Sequence, residues 1–394
     1  MTSLNLRNAT YRSTPWLLGL LLLPFCFAST FVGAAVLPED RLDVGYFTYA
    51  ESDQDIKVPT ILVRKSVLDK VSLNAEYFVD SITGASIDVQ ARATEYTEER
   101  TQVSVGADYL HEKTLLSARY VATDENDYDG GSVHLDVSQD FFGDMTTLSF
   151  GYSRGNNDIG MTGDVSFEEE SKNQAYRFAI SQVLSAKLIA NIAFESITEE
   201  GYLQNPYRSV RYTDASAPDG SGFFYQEENY PNTRSSDAVA FRYRYYLESN
   251  SVTYGEFRYF RDSWGIQARN FELGYVKPFG DTGWEFEIKY RNYQQTDADF
   301  FSDLYSRPDE TNFRARDKEL SSFSSDSYGI AVRYGIEPDD WWFVEKASVT
   351  LYYDYMSFNY DNFRNVLENT GNPGEEPRYS FDASVIRLFF SVWY

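Results

Sequence analysis

The chain has very few of the residues on which redox, metal and haem sites depend. Its 394 residues include one cysteine, Cys26, and two histidines, His111 and His134. A cysteine pair or a histidine cluster is therefore excluded, and with it most transition-metal and haem chemistry. The chain also has no glycine loop of the kind that binds phosphate. We expect no cofactor and no catalytic residues, and hence no enzyme.

Long apolar runs are missing from most of the chain, whose mean hydropathy is -0.46. This excludes a bundle of membrane-spanning helices, because each helix needs about 20 consecutive apolar residues. Sixty acidic residues against 35 basic ones give a net charge of -25, which excludes nucleic acid as a main partner. Disorder is excluded as well, because the chain contains 32 Tyr and 29 Phe residues that can bury a large area.

Residues 1–35 have the pattern of a cleavable secretory signal peptide. Arg7 and Arg12 precede an apolar core at 16–27, and the small residues Gly33 and Ala35 suit cleavage before residue 36. The alternative is a membrane anchor, although the apolar core is short for a span. Cys26 lies inside that core after a phenylalanine, which argues against a lipoprotein. We therefore predict two segments, a signal peptide at 1–35 and a single barrel domain at 36–394.

After residue 36 the hydrophobic period is two. At 284–291, for example, Trp, Phe, Ile and Tyr alternate with Glu, Glu, Lys and Arg, as in a strand with one apolar and one polar face. We predict about 16 strands, accept 14 to 18, and expect Pro59 to weaken the second. The predicted strands are 41–50, 55–66, 70–80, 100–110, 114–123, 131–141, 145–155, 172–184, 187–198, 237–248, 252–261, 265–278, 283–294, 327–337, 342–357 and 380–394.

Short and long connections alternate along these strands. Short turns fall near 112, 143, 185, 250, 280–283 and 338–340, whereas 81–99, 124–130, 156–171, 199–236, 296–325 and 358–379 are long or strongly polar. A soluble β-sandwich also has alternating strands but does not require this alternation of connections. The pattern predicts an all-β fold, a transmembrane antiparallel up-and-down β-barrel with short periplasmic turns and long extracellular loops. We therefore place the protein in the outer membrane of a Gram-negative bacterium.

Aromatic residues support this orientation. Four tryptophans lie beside short turns or at the chain end and are predicted to form a periplasmic aromatic girdle: Trp284, Trp341, Trp342 and Trp393. The last strand carries Phe390, Val392 and Tyr394 on one face and ends in an aromatic residue. This ending resembles the signal by which outer-membrane barrels are passed to the barrel-assembly machinery.

Five segments in order resemble an uncharacterised outer-membrane family, the domain of unknown function numbered 3570. They are DSITGAS at 80–86, ENDYDGG at 125–131, GYLQNPYR at 201–208, YFRDSWGI at 259–266 and RNYQQTDADFF at 291–301. The resemblance implies a barrel, and it supplies no catalytic residues. It also implies an association with extracytoplasmic redox and flavin-attachment systems.

If the apolar faces meet lipid, charged residues of both signs line the lumen. The densest group is Arg242, Arg244, Glu256, Arg258, Glu272, Glu285, Glu287, Lys289 and Arg291. The wider inward set includes Glu76, Asp108, Arg119, Arg177, Glu195, Arg333, Lys346, Asp354 and Arg387. These charges either form a constriction that selects solutes by charge or form cross-strand ion pairs that fill the lumen.

Three further features have alternative interpretations. Asp124, Asp127 and Asp129 form either a calcium site or a solvated acidic loop, and such acidity would also let divalent cations bridge the loops to surface glycolipid. The loop at 199–236 is rich in aromatic residues and is a plug, a ligand-binding loop or packing for the barrel rim. His134 lies near Ser132 and Asp136 on one strand, where a spacing of about 7 Å is expected to prevent direct hydrogen bonds.

The leading hypothesis is a channel, or a conduit for export or secretion, that moves small hydrophilic solutes. The alternative is a closed barrel that docks an envelope partner, for which the resemblance suggests a redox, flavin-associated lipoprotein. An outer-membrane enzyme using His134 is the third hypothesis. In each case the surroundings are outer-membrane lipid and surface glycolipid.

Overall fold

The structure is a computed structural model, and it describes residues 36–51, 54–84, 96–217, 220–337, 342–368 and 372–394. The predicted signal peptide and Trp341 lie outside the described residues. Among the described residues, no helix is long and apolar enough to cross a membrane.

Sixteen of the described strands form one closed antiparallel barrel, which confirms the predicted fold class. The strands are β1 (Arg41–Ala50), β2 (Gln54–Leu68), β3 (Val71–Gly84), β4 (Tyr96–His111), β5 (Thr114–Glu125), β6 (Tyr128–Phe141), β7 (Thr146–Ile159), β8 (Glu169–Ser185), β9 (Leu188–Gly201), β12 (Thr233–Leu247), β13 (Ser251–Asp262), β14 (Gln267–Pro278), β15 (Trp284–Gln295), β16 (Phe323–Ile336), β17 (Lys346–Arg364) and β18 (Arg378–Trp393). Between β9 and β12, the strands β10 (Ser209–Thr213) and β11 (Phe223–Glu227) form a separate hairpin. Single 3-10 turns occur at Gly280–Thr282 and Lys318–Leu320.

The barrel closes because β1 pairs with both β2 and β18, so no strand edge is left unpaired. Residues opposite each other in a ladder face the same side, and faces alternate along each strand. In β15, Trp284, Phe286 and Ile288 face outward and are 44%, 43% and 59% exposed. The residues between them face inward. An apolar outer wall and a polar inner wall follow directly from the period of two.

Pro59 interrupts one ladder, as the sequence predicts. In the pairing of β2 with β3, Lys57 opposes Ser81 and Thr60 opposes Phe78, without paired residues in between. Proline has no N–H to donate, so that ladder loses pairing locally. The pairing of β2 with β1 continues through Pro59, which lies opposite Tyr46.

The connections differ in length between the two ends of the barrel. At one end, turns such as 69–70, 112–113 and 186–187 contain two residues. At the other end, the loops at 160–168, 202–232, 296–322 and 365–377 are long. The predicted polar loop at 124–130 is wrong, because β5 and β6 pair as far as Glu125 and Tyr128 and leave a two-residue turn. Polar side chains do not end a ladder whose backbone groups remain paired.

The predicted tryptophan girdle is only partly correct. Trp284 lies on the outer wall and packs against Tyr334, with ring centroids 4.7 Å apart, and Trp342 is 96% exposed in a turn. Trp393, however, lies opposite Arg41 on the inner face, where the Arg41 and Lys346 cations lie 5.8 Å and 4.9 Å from its ring centroid. Position along the strand placed Trp393 at the correct end, but the alternation of faces turns it inward.

The end of β18 has the expected facing. Phe390 and Val392 oppose Val44 and Leu42 on the outer wall. The Tyr394 hydroxyl donates a hydrogen bond to the carbonyl of Arg64 at 3.2 Å. The last residues of the chain therefore complete the seam that closes the barrel.

Candidate functional site: the charged lumen and its loop cap

The nine charged residues predicted to line the lumen lie on the inner face of four consecutive strands, β12 to β15. Along the ladders, Arg242 opposes Glu256, Glu256 opposes Glu272, and Glu272 opposes Arg291. Arg242 and Glu256 form a direct ion pair. Since residues two apart on a strand share a face, the other members of the group follow on the same wall.

Ion pairs extend this charged wall around the barrel. Glu195 on β9 accepts from Arg258 at 2.9 Å and lies 3.5 Å from Arg177 on β8. Farther along the barrel, Asp354 on β17 pairs with Lys289 at 2.9 Å and also with Arg387. Each carboxylate joins cations from two strands. Such pairs hold the strand register and line the lumen with charge of both signs.

Two arginines on the inner wall have exposed side chains. Arg244 opposes Tyr254 on the inner face, and its side chain is exposed. Arg333 is likewise exposed and lies opposite Glu285. The Tyr254 hydroxyl donates to Glu287. The part of the inner wall near the short turns is therefore a solvated, charged surface rather than a packed core.

His134 also lies on the inner wall, opposite Arg119 on β5 and Ser153 on β7. The Ser132 hydroxyl lies 3.0 Å from the His134 Nε2 atom, so the expectation that this spacing prevents direct contact is wrong. The imidazole spans the distance by leaning along its strand, which a distance measured between backbone positions does not include.

At the end of the barrel with the long loops, the loops 202–232, 296–322 and 365–377 interlock into one unit, which we call the cap. Tyr212 in β10 bridges to Tyr305, and Asn229 bridges to Arg314 through two backbone hydrogen bonds of 2.8 Å and 3.0 Å. The aromatic loop predicted at 199–236 therefore packs against a second loop, and extends beyond the barrel rim.

A buried ion cluster holds the three loops of the cap together. The Arg211 side chain is 0% exposed and donates to Asp303 at 2.7 Å and to both carboxylate oxygens of Glu376. Arg316 lies 3.0 Å from the same Asp303 and stacks over Phe363. Burial alone would raise the pKa of Glu376, but the hydrogen bonds from Arg211 outweigh burial and hold that pKa below its usual range.

Loop 296–322 enters the barrel mouth. Lys318 and Leu320 are each 2% exposed. The Lys318 ammonium lies over the rings of Tyr379 and Phe381, which face inward from β18, at 5.9 Å and 5.0 Å. On the opposite side Leu320 packs in a cluster with Trp264. The loop thus covers the inner face at the mouth from the β13–β14 connection round to β18.

A second buried group lies where loop 202–232 meets loop 296–322. Glu228 accepts from the Tyr230 hydroxyl and from the Arg316 backbone N–H, each at 2.7 Å. Arg208 and Asp317 form an ion pair beside it. Burial, together with the negative charge of Asp317, raises the pKa of Glu228 to about 7.

Of the three aspartates of the predicted calcium site, Asp124 and Asp129 lie opposite each other, whereas Asp127 is bound to Tyr207. Asp127 accepts from the Tyr207 hydroxyl, which also receives the Thr162 backbone N–H at 2.6 Å. Asp124 and Asp129 oppose each other on the outer wall. Among the described residues, no group of three His, Cys, Asp or Glu side chains is arranged to hold a metal ion.

The residues that build the cap were not singled out from the sequence, apart from the aromatic residues of the long loop. A usable signal was present, because the cap's arginines lie in long loops that also carry aspartate, glutamate and aromatic residues. Three of the five family-like segments contribute to the cap or to its contacts with the barrel. Two of them supply Arg208 and Phe300 in the cap loops. The third supplies Trp264 in the β13–β14 connection, whose ring centroid lies 5.2 Å from that of Phe300.

Several solved structures resemble the barrel at low similarity. A structure titled bacterial polysaccharide outer membrane secretin is 9% identical, covers 90% of this chain and 99% of its own, and has a TM-score of 0.47. The outer membrane protein OpdK of Pseudomonas aeruginosa is 9% identical, with 90% and 99% covered and a TM-score of 0.44. OccK2 (OpdF) of the same organism, solved with glucuronate, is 10% identical, with 90% and 98% covered and a TM-score of 0.40.

Comparison with curated proteins gives no match. Residues 164–354 match the model of a family described as Protein of unknown function (DUF3570), a span that contains three of the five family-like segments. The resemblance predicted from the sequence is thereby confirmed, and over these residues the chain matches the DUF3570 family.

Proposed function

We propose that the protein is an outer-membrane channel for small hydrophilic solutes. The observation that carries this proposal is the contrast between the two faces of one closed wall. Outward residues are large and apolar, as lipid contact requires, whereas inward residues are charged and partly solvated. A barrel that only anchored a loop in the membrane would not need exposed arginines such as Arg244 and Arg333 on its inner wall, where they lie near the end with the short turns.

The cap limits what such a channel passes. Loop 296–322 covers one side of the mouth, so solutes reach the charged wall only through the remaining opening or after the cap moves. Fixed charges of both signs on facing strands favour small, strongly hydrated solutes and exclude apolar ones. The function supported best is therefore a restricted channel rather than a wide, unselective pore.

Single-channel conductance of the folded protein in a planar bilayer tests this proposal. Folding is verified first by heat-modifiable gel mobility, so that silence is not confused with misfolding. Steady current steps with a defined ion preference are expected. A folded barrel that neither conducts ions nor passes solutes into liposomes would contradict the channel function.

A second candidate is a docking platform for an envelope partner, such as the lipoprotein suggested by the resemblance. The observation favouring it is that the cap presents large apolar side chains to solvent, since Phe224 is 42% and Phe313 45% exposed. Deleting residues 202–232, which leaves β9 and β12 intact, should abolish partner capture. Capture that survives the deletion would contradict this version.

A further inference from the structure

We propose that the contact formed by Arg208, Glu228, Tyr230 and Asp317, which we call the latch, closes the channel mouth when Glu228 is protonated and releases it when Glu228 is ionised. This proposal rests on the proposed channel function, because it assigns a regulation to the cap of that channel.

The latch joins two separate loops through buried groups. Arg208, Glu228 and Tyr230 belong to loop 202–232, whereas Asp317 belongs to loop 296–322, which enters the mouth. Glu228 is 3% exposed and Asp317 is 0% exposed. A change in the charge of Glu228 therefore acts within a buried contact between the two loops, where an unbalanced charge costs more free energy than at the surface.

The Arg208 cation near Glu228 already neutralises one carboxylate, that of Asp317. The Arg316 guanidinium is close in sequence, but it is bound to Asp303 and to the carbonyl of Arg364. Ionised Glu228 thus adds a second carboxylate beside the Arg208–Asp317 ion pair.

Three tyrosine hydroxyls also lie near Glu228. Tyr230 donates its hydroxyl to Glu228, and the phenols of Tyr202 and Tyr305 lie near enough to feel its charge. Burial and the charge of Glu228 raise the pKa of Tyr230 well above its usual range, so this phenol gives a hydrogen bond without gaining a charge. Hydroxyl groups stabilise a carboxylate only modestly compared with a cation.

Protonation therefore favours the closed cap. With neutral Glu228, the carbonyl oxygen still accepts from the Arg316 backbone N–H, the protonated oxygen donates to the Tyr230 hydroxyl, and Arg208 serves Asp317 alone. With ionised Glu228, a second buried carboxylate lies beside the Arg208–Asp317 ion pair and loop 202–232 separates from loop 296–322. Because one proton is linked to closure, the ratio of closed to open cap falls about tenfold per pH unit between the ordinary and the raised pKa of Glu228.

The test measures open probability in planar bilayers from pH 5 to pH 8. For the wild-type protein, open probability should rise with pH and level off above the pKa of Glu228, about 7. Glu228→Gln should stay closed across the range, because the glutamine oxygen still accepts from the Arg316 backbone N–H, its NH2 group donates to the Tyr230 hydroxyl, and the side chain cannot ionise. Glu227→Gln is the matched control, since Glu227 is adjacent and exposed, and it should behave like the wild type. Pore opening that keeps its pH dependence in Glu228→Gln would overturn the latch.

A second readout follows the latch without using conductance. Trp264 packs against Tyr230 with ring centroids 5.6 Å apart, so its fluorescence should change over the same pH range and lose that change in Glu228→Gln. Trp264→Phe identifies the contribution of this tryptophan. A fluorescence change in a barrel that never conducts would support the latch and contradict the channel. A conducting barrel in which neither signal depends on pH would contradict the latch alone.

Discussion

The lumen wall and the cap both contain ion pairs, but the pairs differ in their contact with water. In the wall, the side chains of Arg258 and Glu195 are 35% and 29% exposed. In the cap, those of Arg211 and Glu376 are 0% and 5% exposed. The same chemistry therefore has different energetic consequences. An exposed wall charge such as Glu195 is solvated when its partner is removed, whereas a buried charge in the cap, or at Asp354 in the wall, is left unpaired.

The barrel wall and the cap also differ in the interactions that stabilise them. Each wall strand is held by backbone ladders on both sides, so no single side chain is critical for closure of the barrel. Within the described residues, two short backbone bridges join the two longest loops of the cap. Its arrangement therefore depends on side-chain charges, and it should respond to substitution and pH far more than the wall.

The largest effect is expected from removing the part of the cap that enters the mouth. Gln295 and Phe323 oppose each other at the ends of β15 and β16, so a two-residue turn, Asn-Gly, can replace residues 296–322 without moving the strands. Single-channel conductance should increase severalfold while heat-modifiable mobility is retained. An unchanged conductance would show that loop 296–322 does not restrict the channel.

Arg211→Ala tests the buried charges of the cap. It leaves Asp303 and Glu376 without their shared guanidinium, and we expect the cap to lose about 3–5 kcal/mol of stability. Limited proteolysis should then cut the loops rapidly while the barrel resists. Arg261→Ala is the control, because its 3.4 Å pair with Asp237 is exposed, with side chains 67% and 41% accessible. Equal protease sensitivity of the two variants would remove the contrast between wall and cap.

The pH dependence of the cap should have a maximum. The pKa of Glu376 is lowered, so its contribution is present above its ordinary pKa and is lost as pH falls through the lowered value. The pKa of Glu228 is raised to about 7, so the folded cap loses stability as pH rises from the ordinary pKa through that value. Protease protection of the loops should therefore peak in mildly acidic solution. Protection that rises steadily to pH 8 would contradict this assignment.

The smallest effect on stability is expected in the wall. Arg244→Glu reverses an exposed inner charge and should change barrel stability by no more than about 0.5 kcal/mol. The reversal potential under a salt gradient should nevertheless shift toward cations, with the permeability ratio changing roughly twofold. Arg269→Glu, on the outer wall, provides a comparison outside the lumen. Identical selectivity in both variants would mean that ions do not pass Arg244.

The barrel itself was predictable because its information is local. A period of two assigns each side chain to a face, and turn positions then fix the number and direction of strands. This is why the closed sheet of 16 strands and the inward placement of Arg242, Glu256 and Arg291 agree with the sequence pattern. The errors at this level, such as Trp393, arose where position along a strand was considered without its face.

The cap was not predictable in this way, because it depends on contacts between residues far apart in the chain. Arg211, Asp303 and Glu376 are separated by as many as 165 positions, and no local pattern brings loops together without the barrel to hold their ends. The sequence alone determined that each barrel strand has one apolar face, which suits lipid, and one polar face, which suits water. Only the tertiary structure decided which loop charges become buried, because burial depends on packing between loops that are far apart in the chain and follow no periodic pattern.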